Sequence, residues 1–158
     1  MTCNHVYHGP SPAAHENGDT ARVCRDCGWR ERRLVLPYIP PGSNQLHRMH
    51  HQAVAKWRRQ IGDDVAVLLI EAGPVGELLE HAIITLDFRW KDKRRHDPGN
   101  GVEGMKAAVD MLVAGRWIVD DDTEHLALVV RGSTASGEPD HVIITVEAPS
   151  LDVVLTCG

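Results

Sequence analysis

The chain has 158 residues, a formal net charge of −5 and 42% hydrophobic side chains. That is one ordinary domain with a modest core, too apolar for a disordered chain and too acidic overall for a simple basic nucleic-acid coat. No run of about 18 apolar residues appears, and Met1-Thr-Cys-Asn-His5 is not a charged start leading into an apolar stretch, so neither a membrane span nor a secretory signal is expected and a cytoplasmic protein is.

Residues 1–33 read as a small N-terminal segment of their own. Cys3 and His5 make one pair, and Cys24 and Cys27, followed by Gly28, make another. Two thiolates two residues apart can point at one ion, and the glycine lets the knuckle turn. The loop between the pairs holds Gly9, Pro10, Pro12, Asn17 and Gly18 and has no core, so an ion would have to hold it together. A closed zinc site of Cys3, His5, Cys24 and Cys27 is therefore expected, structural in role, with His8 and His15 as rival fourth ligands. Cys157 is left over as a free thiol. Arg22, Arg25, Arg30, Arg32 and Arg33 surround the knuckle and suit either phosphates or plain solvent.

Residues 34–158 read as the main domain. Leu34–Ile39 is expected as a short strand, ended by Pro40 and Pro41, which cannot donate to a ladder. From Leu46 to Ile61 no glycine or proline intervenes, and Ala53, Trp57 and Ile61 recur at helical spacing, with Ser43 or Asn44 available as a cap. Val65, Leu68, Leu69 and Ala72 continue that period, as a second helix or as the same one bent at Gly62. His81–Trp90 alternates and is rich in β-formers, hence a strand. Residues 102–114 place Val102, Met105, Val109, Leu112 and Val113 on one helical face, capped by Gly115. Leu126–Arg131 and His141–Glu147 are two strands, and the turn residues between them suggest a hairpin. The order β-α-β-α-β-β implies an α+β fold, a mixed sheet with helices packed on one face and a small zinc-ribbon-like appendage.

The mean charge conceals a segregation. Residues 34–62 carry Arg48, Lys56, Arg58 and Arg59 and no acid, and residues 89–95 carry Arg89, Lys91, Lys93, Arg94 and Arg95 against Asp92 alone. Acid collects elsewhere, at Asp97 before the helix of residues 102–114 and at Asp120, Asp121 and Asp122 after it. If the strands flanking that helix are neighbours in one sheet, their loops could bring Asp97 near the triple aspartate. Converging carboxylates repel, and a hard divalent cation such as Mg²⁺ offsets that. Carboxylates for a metal beside a dense Lys/Arg loop for a backbone is what phosphodiester chemistry needs. An exposed acidic loop is the plainer alternative for Asp120–Asp122, and a solvent-facing role the plainer one for His96.

Lys93-Arg-Arg-His-Asp97-Pro-Gly-Asn100, then Lys106-Ala-Ala-Val-Asp110-Met-Leu, then Ala-Gly-Arg-Trp117 and Asp120-Asp-Asp-Thr-Glu-His-Leu126 form a series that resembles the RusA-type Holliday-junction resolvases common in phage genomes. Leu36-Pro-Tyr-Ile-Pro-Pro-Gly-Ser-Asn44 looks like the same family's opening, so the resemblance covers roughly residues 34–148. It implies a homodimeric, Mg²⁺-dependent endonuclease that cuts branched DNA at four-way junctions. It also implies a site: Asp97 and Asn100 match the ends of an Asp-x-Asp-Asn motif, Asp122 best matches a later metal-binding aspartate with Asp121 next, and Lys106 matches the family lysine. Arg89, Lys91, Lys93, Arg94, Arg95, Arg58 and Arg59 would meet DNA phosphates. One position departs from the pattern: Gly99 stands where the family has its second aspartate, and glycine has no side chain to ligate with. That leaves three ways to read the site: Asp120 or Asp121 fills the place, the site runs on fewer carboxylates, or the chain is a catalytically impaired junction- or DNA-binding protein, which is the alternative to the nuclease. A zinc-ribbon protein-interaction module using the acidic half is a third reading.

Overall fold

The computed structural model describes residues 32–73, 78–134 and 137–149. The expected zinc ligands Cys3, His5, Cys24 and Cys27, their rivals His8 and His15, and Cys157 all lie outside the described residues. Within them the protein is a mixed α+β fold built on a four-stranded sheet of order β1-β4-β2-β3.

Strand β1 (Arg32–Leu36) buries Leu34 and Leu36 and exposes Val35, the period-2 pattern of a half-covered strand. Pro37 follows it and ends the pairing three residues earlier than the sequence suggests, since a proline offers no N–H to a ladder. A single helical turn, α1 (Ser43–Leu46), buries Leu46. Helix α2 then runs unbroken from His51 to Ala72. The cap is neither Ser43 nor Asn44 but His50, whose ring nitrogen accepts from the Gln52 N–H at 3.4 Å. Ile61, Val65 and Leu69 form the buried stripe, one residue per turn on one face. Gly62 neither ends nor interrupts the helix; it faces Met111 of the neighbouring helix, whose Cγ would lie 3.6 Å from an added Cβ. Gly73 stops it in a left-handed conformation with φ 75°, which glycine adopts without a Cβ penalty.

Strand β2 (Ala82–Trp90) buries Ala82, Ile84, Leu86 and Phe88 on one face. Two 3₁₀ turns, Pro98–Gly101 and Glu103–Met105, lead into helix α3 (Lys106–Ala114), so the regular helix starts four residues later than its apolar period suggests. The helix ends at Gly115, as expected, but the left-handed residue is Arg116, with φ 59°. Gly115 is small for a packing reason: an added Cβ would lie 2.9 Å from Leu69 Cδ1.

Strands β3 (Leu126–Thr134) and β4 (His141–Glu147) do not form the expected hairpin. β3 pairs parallel with β2, Ala82 opposite Leu126 and Trp90 opposite Thr134. β4 instead lies between β1 and β2, antiparallel to both. Burial explains the choice. Val142, Ile143, Ile144 and Val146 are all buried, and a strand apolar on both sides belongs in the interior of a sheet. β3 is mostly exposed or half-exposed and takes the edge.

The core is one cluster that joins Leu34, Leu36, Ile84, Leu86, Phe88, Val142, Ile144 and Val146 of the sheet to Ile61, Val65 and Leu69 of α2 and Ala108 and Leu112 of α3. Among the described residues no helix is long and apolar enough to cross a membrane. Leu86 on the central strand is fully buried, so Leu86→Ala is expected to cost about 2–5 kcal/mol by leaving a cavity. Urea unfolding followed by circular dichroism measures it, and a loss below ~1 kcal/mol would show that the strand is not central to the core.

Candidate functional site

The parallel β2–β3 pair needs a crossover, and α3 is that crossover. It sets Lys106 at the helix start beside the loop that follows the helix. Lys106 Nζ donates to Asp110 Oδ1 at 3.1 Å, one turn along, and to Asp121 Oδ2 at 3.0 Å. The hydrogen bond from Lys106 is the main reason that the Asp121 carboxyl is held below its ordinary range, and the same bond raises Lys106. The Asp121 N–H also donates to Asp120 Oδ1 at 2.7 Å.

Asp122 organises the entry to β3. Its Oδ1 accepts from the N–H groups of Glu124 at 2.9 Å and His125 at 3.0 Å, and lies 2.7 Å from His125 Nδ1. The bond to the His125 ring, first among these, lowers Asp122 and raises His125. The His125 ring stacks on His81 with centroids 5.9 Å apart and planes at 17°.

Asp97 sits elsewhere. Its Oδ1 accepts from the Gly99 N–H at 3.0 Å and so caps the first 3₁₀ turn. The next residue, Pro98, packs where a side chain on Gly132 would point, 3.2 Å from an added Cβ. Asp97 therefore lies at the Gly132 level of β3, while Asp122 hydrogen-bonds through its carbonyl to Leu126 at the strand's start. Six residues of extended strand, on the order of 20 Å, separate those levels. The strands flanking α3 are neighbours, but because they are parallel their loops leave at opposite ends. Asn100 is turned to α1, where its Oδ1 accepts the Asn44 N–H at 3.1 Å. Among the described residues no three His, Cys, Asp or Glu side chains converge as a group that could hold a metal.

The basic loop is pinned at both ends. Arg89 Nε donates to Asp87 at 2.9 Å on its own strand. The Lys91 N–H donates to Asp140 at 2.8 Å. His96, expected to face solvent, lies flat on Trp90 at 4.5 Å and 2° and engages Asp92 with Nε2. Between those anchors Lys93, Arg94 and Arg95 are exposed, as are Arg58 and Arg59 on α2.

Sequence reasoning missed Asp110, His125 and Asp87 as partners of site residues. The first two carried a signal, Lys106-x-x-x-Asp110 at helical i,i+4 spacing and Asp122-x-x-His125 at i,i+3; the third is two residues from Arg89, on the same face of a strand. No protein-family model matches the chain, and a search of curated proteins finds no match.

Mg²⁺ favours oxygen ligands and is commonly held by one or two carboxylates, with water and substrate phosphate completing its shell. Asp121 and Asp122, adjacent and both held ionised, fit that donor chemistry. Asp97 does not join them within one chain.

His125 and Asp122 make a pH-dependent unit. The raised His125 contributes its share of stability fully below its ordinary value of 6.5 and loses it as pH rises through the folded value. The lowered Asp122 contributes above 3.8 and loses its share as pH falls through the folded value. NMR titration is expected to place His125 above 6.5 in the protein and back toward 6.5 in Asp122→Asn. An unchanged His125 titration in that variant would break the assignment.

Proposed function

We propose that the chain is a metal-dependent endodeoxyribonuclease that resolves branched DNA, four-way junctions above all, in the manner of the RusA-type resolvases its sequence resembles. The observation that carries the reading is the contact of Lys106 with Asp121 at 3.0 Å across 15 residues. It joins two separate stretches of the resemblance, the lysine on the helix and the aspartates after it, at one point. The β2–α3–β3 crossover that makes the contact supports the same reading.

In this reading Lys93, Arg94 and Arg95 and, on α2, Arg58 and Arg59 take phosphates. Asp121 and Asp122 hold Mg²⁺, with Asp97 and Asn100 carried over from the resemblance as further site residues. The ion, when bound, polarises the phosphodiester and lowers the pKa of a water. Lys106 keeps Asp121 anionic and, once a phosphate enters, offers it a cation within one side-chain length. Zinc stays with Cys3, His5, Cys24 and Cys27 as a structural ligand set, and the protein works as a cytoplasmic homodimer.

The purified protein is expected to bind a synthetic four-way junction with steep salt dependence and to cut it with Mg²⁺. Changing Lys93, Arg94 and Arg95 to alanine is expected to flatten the log K against log salt slope by about 0.9 per lost contact. Asp121→Asn is expected to lower cleavage at least a hundredfold while junction binding persists. Metal analysis is expected to find one zinc per chain, lost in Cys24→Ser. Junction binding without cleavage would remove the nuclease reading, and salt-insensitive binding would remove the DNA reading altogether.

Gly99 favours a second reading, a junction-binding protein whose cleavage is weakened. The fold can take the aspartate the motif lacks with a small shift of Asp97, because an added Cβ at Gly99 meets only Asp97 Oδ1, at 3.2 Å. If the reading is right, Gly99→Asp raises Mg²⁺-dependent cleavage over the natural chain at equal junction affinity. Equal or lower cleavage in that variant would show that the missing carboxylate is not what limits the reaction.

A further inference from the structure

Cations alone cannot select a branch. Lys93, Arg94 and Arg95 suit phosphates, and every duplex carries phosphates. What a four-way junction offers and a duplex hides is the flat face of a base that has lost its stacking neighbour where the strands exchange. Reading a branch by such a base takes an aromatic plane beside the backbone contacts, the combination that binders of single strands use.

The basic loop carries such a plane. Trp90 ends β2, His96 closes the loop, and their rings lie flat on each other at 4.5 Å and 2°. The residues between them include Lys91, Lys93, Arg94 and Arg95, so a strand gripped by those cations passes within side-chain reach of the His96 ring. The stack is founded in the core. Trp90 stacks with Phe88 at 5.7 Å and 16°, and Phe88 is wholly buried. Gly132 makes room for it, since an added Cβ there would lie 2.6 Å from Trp90 Cζ3 and 3.2 Å from Pro98.

Asp92 engages His96 Nε2 and so fixes how the ring is turned in its own plane. The His96 side chain remains 28% exposed, and among the described residues no ring but Trp90 stacks on it. The two rings are aligned before any ligand arrives, so a base that joins them has little left to immobilise on the protein's side.

We infer that the His96–Trp90 pair is a stacking site for a nucleobase exposed at the point of strand exchange, with Lys93, Arg94 and Arg95 on the flanking phosphates. The cations give affinity for any DNA, and the ring gives the difference between branched and linear DNA. This site extends the DNA reading above and does not depend on cleavage.

Binding measured without added Mg²⁺ tests it on three probes: a synthetic four-way junction, a linear duplex of the same arm sequence and a single strand of thymidines. The natural chain is expected to prefer the junction and the single strand to the duplex. His96→Ala is expected to weaken junction binding about tenfold and to leave duplex binding within about twofold, with an unchanged circular dichroism spectrum. His96→Phe keeps a flat ring, gives up the bond to Asp92, and is expected to retain the junction preference. Arg94→Ala is expected to weaken junction and duplex alike. In the natural chain, 5-iododeoxyuridine at the exchange point is expected to photocrosslink to His96 or Trp90, and the same base in mid-arm is not, a result that holds whether or not a variant folds. Parallel loss on junction and duplex in His96→Ala, no junction preference in His96→Phe, or a crosslink elsewhere in the chain would overturn the stacking site and leave the DNA reading standing. A natural chain that binds none of the three probes would end both.

Discussion

Strand β2 is the constraint on which the rest of the structure depends. Ile84, Leu86 and Phe88 are wholly buried, and the strand is hydrogen-bonded along both edges, antiparallel to β4 and parallel to β3. Burying three large apolar side chains supplies several kcal/mol of driving force. The parallel edge then dictates the connection, because two parallel strands cannot be joined by a tight turn. The chain must cross the sheet, the crossing segment must be helical and apolar on one side, and Lys106 at its start is thereby delivered to the aspartates at its exit.

The same strand governs the basic loop. Trp90 at its end stacks with both Phe88 and His96, so the chain leaves β2 along a fixed path and returns to it at His96. Individually, the ion pairs of this region lie at the surface and contribute little to stability. Their value is in direction: Arg89 is committed to Asp87 within the strand, while Lys93, Arg94 and Arg95 point to solvent with no acid beside them but Asp92. A net charge of −5 is compatible with an anionic partner because the positive charge is concentrated where the loop holds it.

The sequence showed its strands and helices more clearly than their arrangement. Alternation along His141–Glu147 marks a strand whose ends coincide with β4, since side chains on a strand reveal faces residue by residue. It does not reveal partners, so β3 and β4 read as a hairpin from the turn residues between them. The clue lay in composition: consecutive Val142, Ile143 and Ile144 mark an interior strand, whereas the Arg131-Gly-Ser-Thr134 end of β3 does not. The 22-residue α2 was legible in its period but not in its continuity, because glycine at position 62 is as consistent with a break as with a close helix contact. In the candidate site, proximity of Lys106 to the aspartates followed from the crossover, while the separation of Asp97 depended on strand direction, which no local pattern encodes.

The short stretch before α3 holds three glycines of unequal freedom. A side chain at Gly101 would strike the Phe88 ring, and one at Gly104 the Pro41 carbonyl oxygen. At Gly99 an added Cβ meets one side-chain atom, Asp97 Oδ1 at 3.2 Å, and needs only a small shift of it. Gly99 is exposed, so a carboxylate side chain there leaves the core undisturbed. The two glycines beside it have no such liberty. The architecture therefore tolerates change at position 99 and not at the other two.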